Sequence, residues 1–315
     1  MERRFLLFGL GLMGLACLLF LAAIANHRIQ LARERATHRP PGQLVTVNGH
    51  RLHVYSEGAG EPTLVFLAGS GTTAPTYDFR GLSRRFSAEY RTVVVERAGY
   101  GWSDESNASR DITTVLGETR TALRGSGHDP PYVLFPHSMS GLEALHWANR
   151  YPHEVVSIVG LDPAVPPVYE VLPPPRLVLA LVTFSARSGL LRLVPSLCLE
   201  APPVTRGYLS AEETDAYCAI LFGRTMTRDM LAEISVTQAN ARLVASEGVP
   251  DVPLFLFVSD GTDVAVPNWT ELLIEYAEAA GGRHRLLDVA HYVHNLAVDT
   301  IATETRLFLE EITGE

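Results

Sequence analysis

Hydrophobic and polar positions divide the chain into one long apolar segment and a later series of short apolar runs. Residues 5–25 are apolar and contain no charged side chain. The later runs are four to six residues long, as expected for strands buried on both faces of a parallel sheet. These runs are Thr63–Leu67, Thr92–Val95, Tyr132–Phe135, Val156–Leu161 and Leu254–Val258.

Other patterns complete an alternation of strands and helices. Gln43–Val47 and His50–Tyr55 flank Asn48-Gly49, a pair typical of a hairpin turn. Further runs predict a strand at Arg285–Val289 and helices at Ile112–Leu123, Leu142–Arg150 and about 299–312. Strands that alternate with helices predict an α/β fold with a doubly wound, mostly parallel sheet.

One stretch interrupts the alternation. Residues 165–250 begin among prolines, including Pro173–Pro175, and continue with helical patterns at Leu177–Leu193, Ala211–Phe222 and Thr227–Val244. We interpret this stretch as a helical cap inserted into the sheet domain. The predicted organisation is listed here in chain order: anchor or signal 1–26, linker 27–42, first part of the core 43–164, cap 165–250, second part of the core 251–315.

Charge excludes several function classes. The net charge of −9 argues against a nucleic-acid partner. All 26 basic residues are arginine, so a P-loop lysine, a Schiff-base lysine and a Ser–Lys dyad are impossible. The cysteines Cys17, Cys198 and Cys218 have no CxxC spacing, and we expect no metal and no cofactor. Cys198 and Cys218 are either free thiols or a disulfide, which an oxidising compartment would permit.

The N-terminal segment predicts a membrane partner. About 20 apolar residues cross a bilayer, whereas the apolar part of a signal peptide has about 7–15. Length therefore favours a retained single-pass anchor. The signal-like layout favours an extracytoplasmic catalytic domain, whereas the positive-inside rule would place the more basic flank, with Arg28, Arg33, Arg35 and Arg39, in the cytoplasm. Cleavage after Ala23-Ile24-Ala25, which would secrete the protein, is the alternative to a retained anchor.

Ser138 is the candidate nucleophile. It follows the predicted strand Tyr132–Phe135 and directly precedes a predicted helix, the context that a nucleophile elbow requires. The residues two positions away must be small. Ser140 meets this condition, whereas Pro136 stands where the G-x-S-x-G pattern has glycine. A serine hydroxyl needs a base, and His291, after the last predicted strand, is the candidate, with His294 as its rival.

The acid and the oxyanion donors complete the expected site. Asp263, on the loop after Leu254–Val258, is the preferred acid, with Asp162 and Asp260 as alternatives. The backbone N–H groups of Met139 and Ser70 are the expected oxyanion hole, because Met139 follows the nucleophile and Ser70 lies on a glycine-rich loop.

Four segments together resemble the α/β-hydrolase family. Glu96–Ser103 is similar to its D-R-x-G-x-G-x-S loop, with Glu96 in place of Asp, and Val133–Gly141 is similar to its G-H-S-x-G-G elbow. Leu67–Gly71 resembles its H-G-x-G oxyanion loop, and Ala290–His294 its G-H-x-x-H loop. More narrowly, the chain resembles bacterial, N-terminally membrane-anchored serine hydrolases.

The resemblance implies an α/β-hydrolase fold with a helical cap over the active site. Serine at position 138 argues against the dehalogenase and epoxide-hydrolase branches, which use a carboxylate nucleophile. We therefore expect a carboxylic ester hydrolase that cleaves an acyl bond of a lipophilic small molecule through an acyl-enzyme. A non-catalytic ligand-binding or sensor protein on the same scaffold is the alternative.

Overall fold

The computed structural model describes residues 2–170 and 176–314 and contains one eight-stranded sheet. The strands are β1 (Gln43–Val47), β2 (His50–Glu57), β3 (Thr63–Leu67), β4 (Thr92–Glu96), β5 (Tyr132–Ser138), β6 (Val155–Pro163), β7 (Leu254–Val258) and β8 (Arg283–Leu286). Their order is β1-β2-β4-β3-β5-β6-β7-β8. Only β2 runs antiparallel to its neighbours, β1 and β4. The predicted mostly parallel sheet is confirmed.

Helices cover both faces of this sheet. They are α1 (Glu2–Thr37), α2 (Pro75–Asp78), α3 (Arg80–Phe86), α4 (Ile112–Gly125), α5 (Ser140–Arg150), α6 (Arg176–Ser188), α7 (Ser196–Leu199), α8 (Pro202–Thr205), α9 (Ala211–Arg224), α10 (Arg228–Glu247), α11 (Trp269–Ala279), α12 (Val293–Leu296) and α13 (Val298–Thr313). One core layer contains side chains of α4, α5 and α11, and the other contains those of α3, α12 and α13.

The central strands are buried on both faces, which explains their uninterrupted apolar sequences. Every residue of β3, β4 and β7 is buried. Phe66 and Phe135 lie on the same side of neighbouring strands, with ring centroids 4.9 Å apart. Truncation of either ring to alanine would cost about 3–5 kcal/mol, since it removes apolar contact and leaves a cavity.

Between β6 and β7, the described part of the chain contains helices α6 to α10, which we call the cap. Their first turns follow the expected capping chemistry: α9 begins with a capping box of Ser210 and Glu213, and Thr227 accepts from Met230 N–H at the start of α10. The proline run Pro173–Pro175 lies outside the described residues. Cys198 of α7 and Cys218 of α9 form a disulfide within the cap.

Two sequence predictions need correction. The predicted linker 27–42 is helical as far as Thr37, because residues 30–36 are mostly good helix formers and the helix ends before Pro40-Pro41. Strand β8 spans Arg283–Leu286 rather than Arg285–Val289. As an edge strand it is largely exposed and polar, so its position is not marked by an apolar run.

Candidate active site

Ser138 ends β5 at the centre of the sheet and has the strained backbone of a nucleophile elbow. Its φ is +53°, in the left-handed region that non-glycine residues rarely adopt. Helix α5 begins two residues later, at Ser140. The surroundings must be small, since a Cβ added to Gly69 would lie only 2.8 Å from Ser138 Cβ. The hydroxyl of Ser138 forms no hydrogen bond within residues 2–170 and 176–314.

The Ser140 side chain also forms hydrogen bonds beside the elbow. Its hydroxyl donates to the carbonyl oxygen of Leu67, at 2.7 Å, and also lies 2.9 Å from that of His137. The Ser140 side chain thus ties the turn to strand β3, a contact that a glycine at this position would lack.

His291 lies against Asp162, with Nδ1 and Oδ2 separated by 2.6 Å. The imidazole is 15% exposed, and the carboxylate is fully buried. Asp162 is the last residue but one of β6, the strand next to β5, and has a positive φ of +52°. In a Ser-His-Asp triad, the carboxylate accepts from Nδ1 of the histidine, and Nε2 is left free to take the proton of the serine. The contact between His291 and Asp162 has this arrangement.

Asp162 is held by donors that the sequence did not reveal. Its Oδ1 accepts from the backbone N–H of Ser259, at 2.8 Å, and its Oδ2 accepts from the Ser259 hydroxyl, at 2.7 Å. Trp269 Nε1–H also donates to Oδ2, at 3.0 Å. Both residues follow β7, so two neighbouring strands jointly fix the carboxylate. These bonds satisfy a buried group that would otherwise be costly.

The sequence favoured Asp263 as the acid that orients the imidazole, but Asp263 contacts the backbone of His291 and not its ring. Asp263 Oδ1 accepts the backbone N–H of His291, at 2.8 Å, and is exposed. Asp260 accepts from the N–H and the hydroxyl of Thr262 and so closes its own turn. Both stand on the loop after β7, as predicted, but the ring of His291 faces Asp162.

His294, the rival base, is engaged elsewhere. Its Nε2 lies 2.8 Å from Asp78 Oδ2, and the ring is fully buried. Between the two histidines lies His137, with ring centroids 4.7 Å from His291 and 4.5 Å from His294. Burial, followed by the positive charge that His294 and His291 can carry, holds the pKa of His137 well below its usual value.

The loop after β3 approaches the elbow where the oxyanion hole is expected. The backbone N–H groups of Ser70 and Met139 donate to no acceptor within the described ranges, so both remain available to a ligand. Arg97 Nη2 lies 3.4 Å from the carbonyl oxygen of Gly69 and helps to hold this loop. Asp78, which follows this loop, lies within hydrogen-bonding distance of His294 and Asn295 and so joins the segment after β3 to the segment that carries His291 and His294.

With this geometry in place, comparison with known proteins places the chain in a family. A model of the alpha/beta hydrolase family matches residues 64–303. The chain belongs to the alpha/beta hydrolase family.

Relatives of this α/β hydrolase agree with the assignment. It is 38% identical to the uncharacterized protein YbdG of Bacillus subtilis over 233 residues, 73% of this chain and 72% of that protein. Cfl2 of Burkholderia cenocepacia superposes with a TM-score of 0.66 at 21% identity, over 84% of this chain and 94% of that one. An epoxide hydrolase of Bacillus megaterium gives 0.66 at 20% identity, over 85% and 100%. These two likenesses show the fold.

In this α/β hydrolase, the loop after β4 connects the site to the cap through buried charges. Glu96 accepts from Trp102 N–H and Thr76 N–H and pairs with His53, Nδ1 to Oε2 at 3.0 Å. Burial alone would raise the pKa of Glu96, but His53 and these N–H donors lower it. Arg97 pairs with Glu143 of α5 and Glu233 of α10. Glu96, which stands where the family pattern has the shorter aspartate, therefore accepts hydrogen bonds that hold this loop in place.

A cavity of about 380 Å³ lies between the segment after β3 and the cap. Its size is within the range of ligand pockets, about 300–1,000 Å³. Gly71, Thr72 and Tyr292, next to the oxyanion loop and to His291, form its floor. The cap contributes mainly apolar side chains, which are Val182, Leu191, Leu197, Pro202, Tyr217 and Leu221. The cavity can therefore hold an apolar group beside the site.

Helix α1 is long and apolar enough to cross a bilayer. Its apolar segment is uncharged and long enough to span the hydrocarbon core, and it is not buried within the protein. Membrane anchors and signal sequences share these properties. Within the described residues, no group of three or more His, Cys, Asp or Glu side chains is arranged to hold a metal ion.

Proposed function

We propose that this α/β hydrolase cleaves an ester-type bond of a lipophilic small molecule through Ser138, His291 and Asp162. The contact between His291 Nδ1 and buried Asp162 Oδ2, at 2.6 Å, beside a strained serine elbow, carries the proposal. A serine at the elbow favours acyl transfer. The family resemblance implies that epoxide hydrolases, which are among the structural neighbours, use a carboxylate nucleophile instead.

In the proposed mechanism, each residue of the site has one role. His291 Nε2 takes the proton of Ser138 Oγ as that oxygen attacks the carbonyl carbon. Asp162 stabilises the imidazolium, and the N–H groups of Ser70 and Met139 bind the oxyanion. His291 then protonates the leaving group. Water, activated by the same imidazole, hydrolyses the acyl-enzyme and restores the serine. The mainly apolar 380 Å³ cavity accommodates a hydrophobic acyl or alcohol group.

A fluorophosphonate probe tests the proposal without knowledge of the substrate. We expect wild type to be labelled and Ser138→Ala not to be labelled. A series of p-nitrophenyl esters of increasing chain length should then show activity that rises with the length of the apolar chain. A folded wild type that the probe does not label, and that hydrolyses none of the esters, would favour the non-catalytic binding protein instead.

We further propose that α1 is retained as a single-pass anchor and that the catalytic domain is extracytoplasmic. The disulfide between Cys198 and Cys218 supports the location, because disulfides persist in oxidising compartments. Intact mass of the membrane fraction decides between anchor and signal. The anchor predicts the full chain of 34.5 kDa, whereas cleavage after Ala25 would remove the first 25 residues and release the protein.

A further inference from the structure

The cap packs directly on α1 near the end of its apolar segment. The ring of Phe184, on α6, stacks on that of Phe20, with centroids 5.7 Å apart. Arg192 pairs with Glu34, at 2.6 Å, and its Nε donates to His27 Nδ1. The cap and the proposed anchor are therefore joined at a defined depth along α1.

A groove of about 730 Å³, which we call the anchor groove, lies between α1 and α6. Phe20, Ile24 and Leu179 contribute apolar surface, and Arg28, Arg176 and Arg187 contribute three guanidinium groups. Along a helix each residue rises 1.5 Å, so Arg28 stands about 12 Å above Phe20. Phe184 stacks on Phe20 and Gly189 lies against His27, so α6 runs in the same direction as α1. Arg187 therefore lies at the end of the groove near Arg28, whereas Arg176, at the start of α6, is about 16.5 Å from Arg187 along the helix.

These three arginines have no acidic partner in the part of the chain that the structure describes. Several arginines elsewhere are paired, such as Arg80 with Glu57 and Glu213, and Arg110 with Glu118. Guanidinium groups bind phosphate and carboxylate oxygens well because several donors lie in one plane. Two unpaired ones at the same end of an apolar surface, Arg28 and Arg187, are complementary to an anionic amphiphile.

The outer side of α6 is apolar and exposed next to this groove. Leu177, Leu181 and Phe184 are 73%, 57% and 54% exposed and lie along one side of the helix, three or four residues apart. Val182, on another side of α6, lines the substrate cavity. An exposed apolar stripe that continues the surface of a membrane-spanning helix is suited to the same lipid.

We propose that the anchor groove binds an anionic phospholipid of the leaflet next to the catalytic domain. The phosphate lies between Arg28 and Arg187, and an acyl chain lies along Phe20, Ile24 and Leu179. The stripe on α6 is immersed in the same leaflet, which brings one wall of the substrate cavity to the membrane surface. This inference rests on the anchor part of the proposed function.

The test uses the full chain in nanodiscs of phosphatidylcholine mixed with phosphatidylglycerol, followed by gentle detergent extraction and native mass spectrometry. We expect wild type to retain phosphatidylglycerol selectively and the double variant Arg28→Gln/Arg187→Gln to lose the preference. Each arginine near an anionic lipid contributes roughly a factor of five, so we expect an about 25-fold fall in the ratio of bound phosphatidylglycerol to phosphatidylcholine. Arg242→Gln, an exposed arginine further along α10, is the matched control and should behave as wild type.

Three results would overturn the inference: equal retention of the two lipids by wild type, unchanged selectivity in the double variant, or displacement of the lipid by inorganic phosphate alone, which would indicate a phosphate site. Thermal unfolding and fluorophosphonate labelling of the double variant show whether it is folded. Failure of the hydrolase proposal is distinguishable, because a wild type that the probe does not label can still retain the lipid. Failure of the anchor is visible as a loss of residues 1–25 from the intact mass.

Discussion

Replacement of Asp162 by asparagine separates the acid that the structure favours from the one that the sequence favoured. Asp162 Oδ2 accepts from His291, Ser259 Oγ and Trp269, whereas Oδ1 accepts only from the Ser259 N–H. An amide has one oxygen and one NH₂ group. In its better orientation the oxygen replaces Oδ2 and the NH₂ group opposes the Ser259 N–H. We expect about 1–3 kcal/mol of lost stability from that unsatisfied donor pair.

The catalytic effect of Asp162→Asn should be much larger. The variant retains the acceptor for His291 Nδ1 but not the negative charge that stabilises the imidazolium. In serine-protease triads the same change lowers kcat about 10⁴-fold, which corresponds to about 5.5 kcal/mol. We expect a fall of this order in the fluorophosphonate labelling rate and in p-nitrophenyl ester hydrolysis, measured below the unfolding temperature of the variant.

Asp263→Asn is the matched control. Its amide oxygen can still accept the His291 backbone N–H, so we expect less than an about 10-fold change, the loss of one exposed charge near the site. The reasoning is refuted if Asp263→Asn abolishes labelling while Asp162→Asn reacts at close to the wild-type rate.

Three further results follow from the structure. Gly69→Ala would place Cβ 2.8 Å from Ser138 Cβ and 3.0 Å from His137 Nδ1, so displacement of the oxyanion loop should lower kcat about 10²-fold. The control Gly117→Ala has open space around the new Cβ and should leave kcat unchanged. Equal rates for the two variants would contradict this prediction. Replacement of Cys198 and Cys218 by serine should lower the free energy of unfolding in urea by about 3 kcal/mol, and reduction should then affect wild type alone; an identical midpoint would disprove the bond. Folding lowers the pKa of His137, so below pH about 6.5 the unfolded chain binds more protons than the folded protein. The free energy of unfolding should therefore fall as the pH decreases in this range, by up to about 1.4 kcal/mol per pH unit. His137→Gln should flatten this slope, and an unchanged slope would rule out the effect.

The sequence alone determined the alternation of strands and helices and the positions of Ser138 and His291. These features are local: apolar runs mark the buried strands β3, β4 and β7, and the candidate nucleophile is recognised by a strand, a turn and a helix in succession. The exposed edge strand β8 was misplaced because its residues face solvent and show no such run.

Tertiary structure decided which carboxylate faces the imidazole. Strands β6 and β7 are neighbours in the sheet, so an aspartate at or just after the end of either one can reach the His291 loop, and no local pattern distinguishes them. The choice depends on the ring orientation of His291 and on donors from Ser259 and Trp269, which meet Asp162 across about 100 residues of chain. The cap's contact with α1, between Phe20 and Phe184, is of the same kind: it depends on where distant helices pack, which hydrophobic periodicity does not encode.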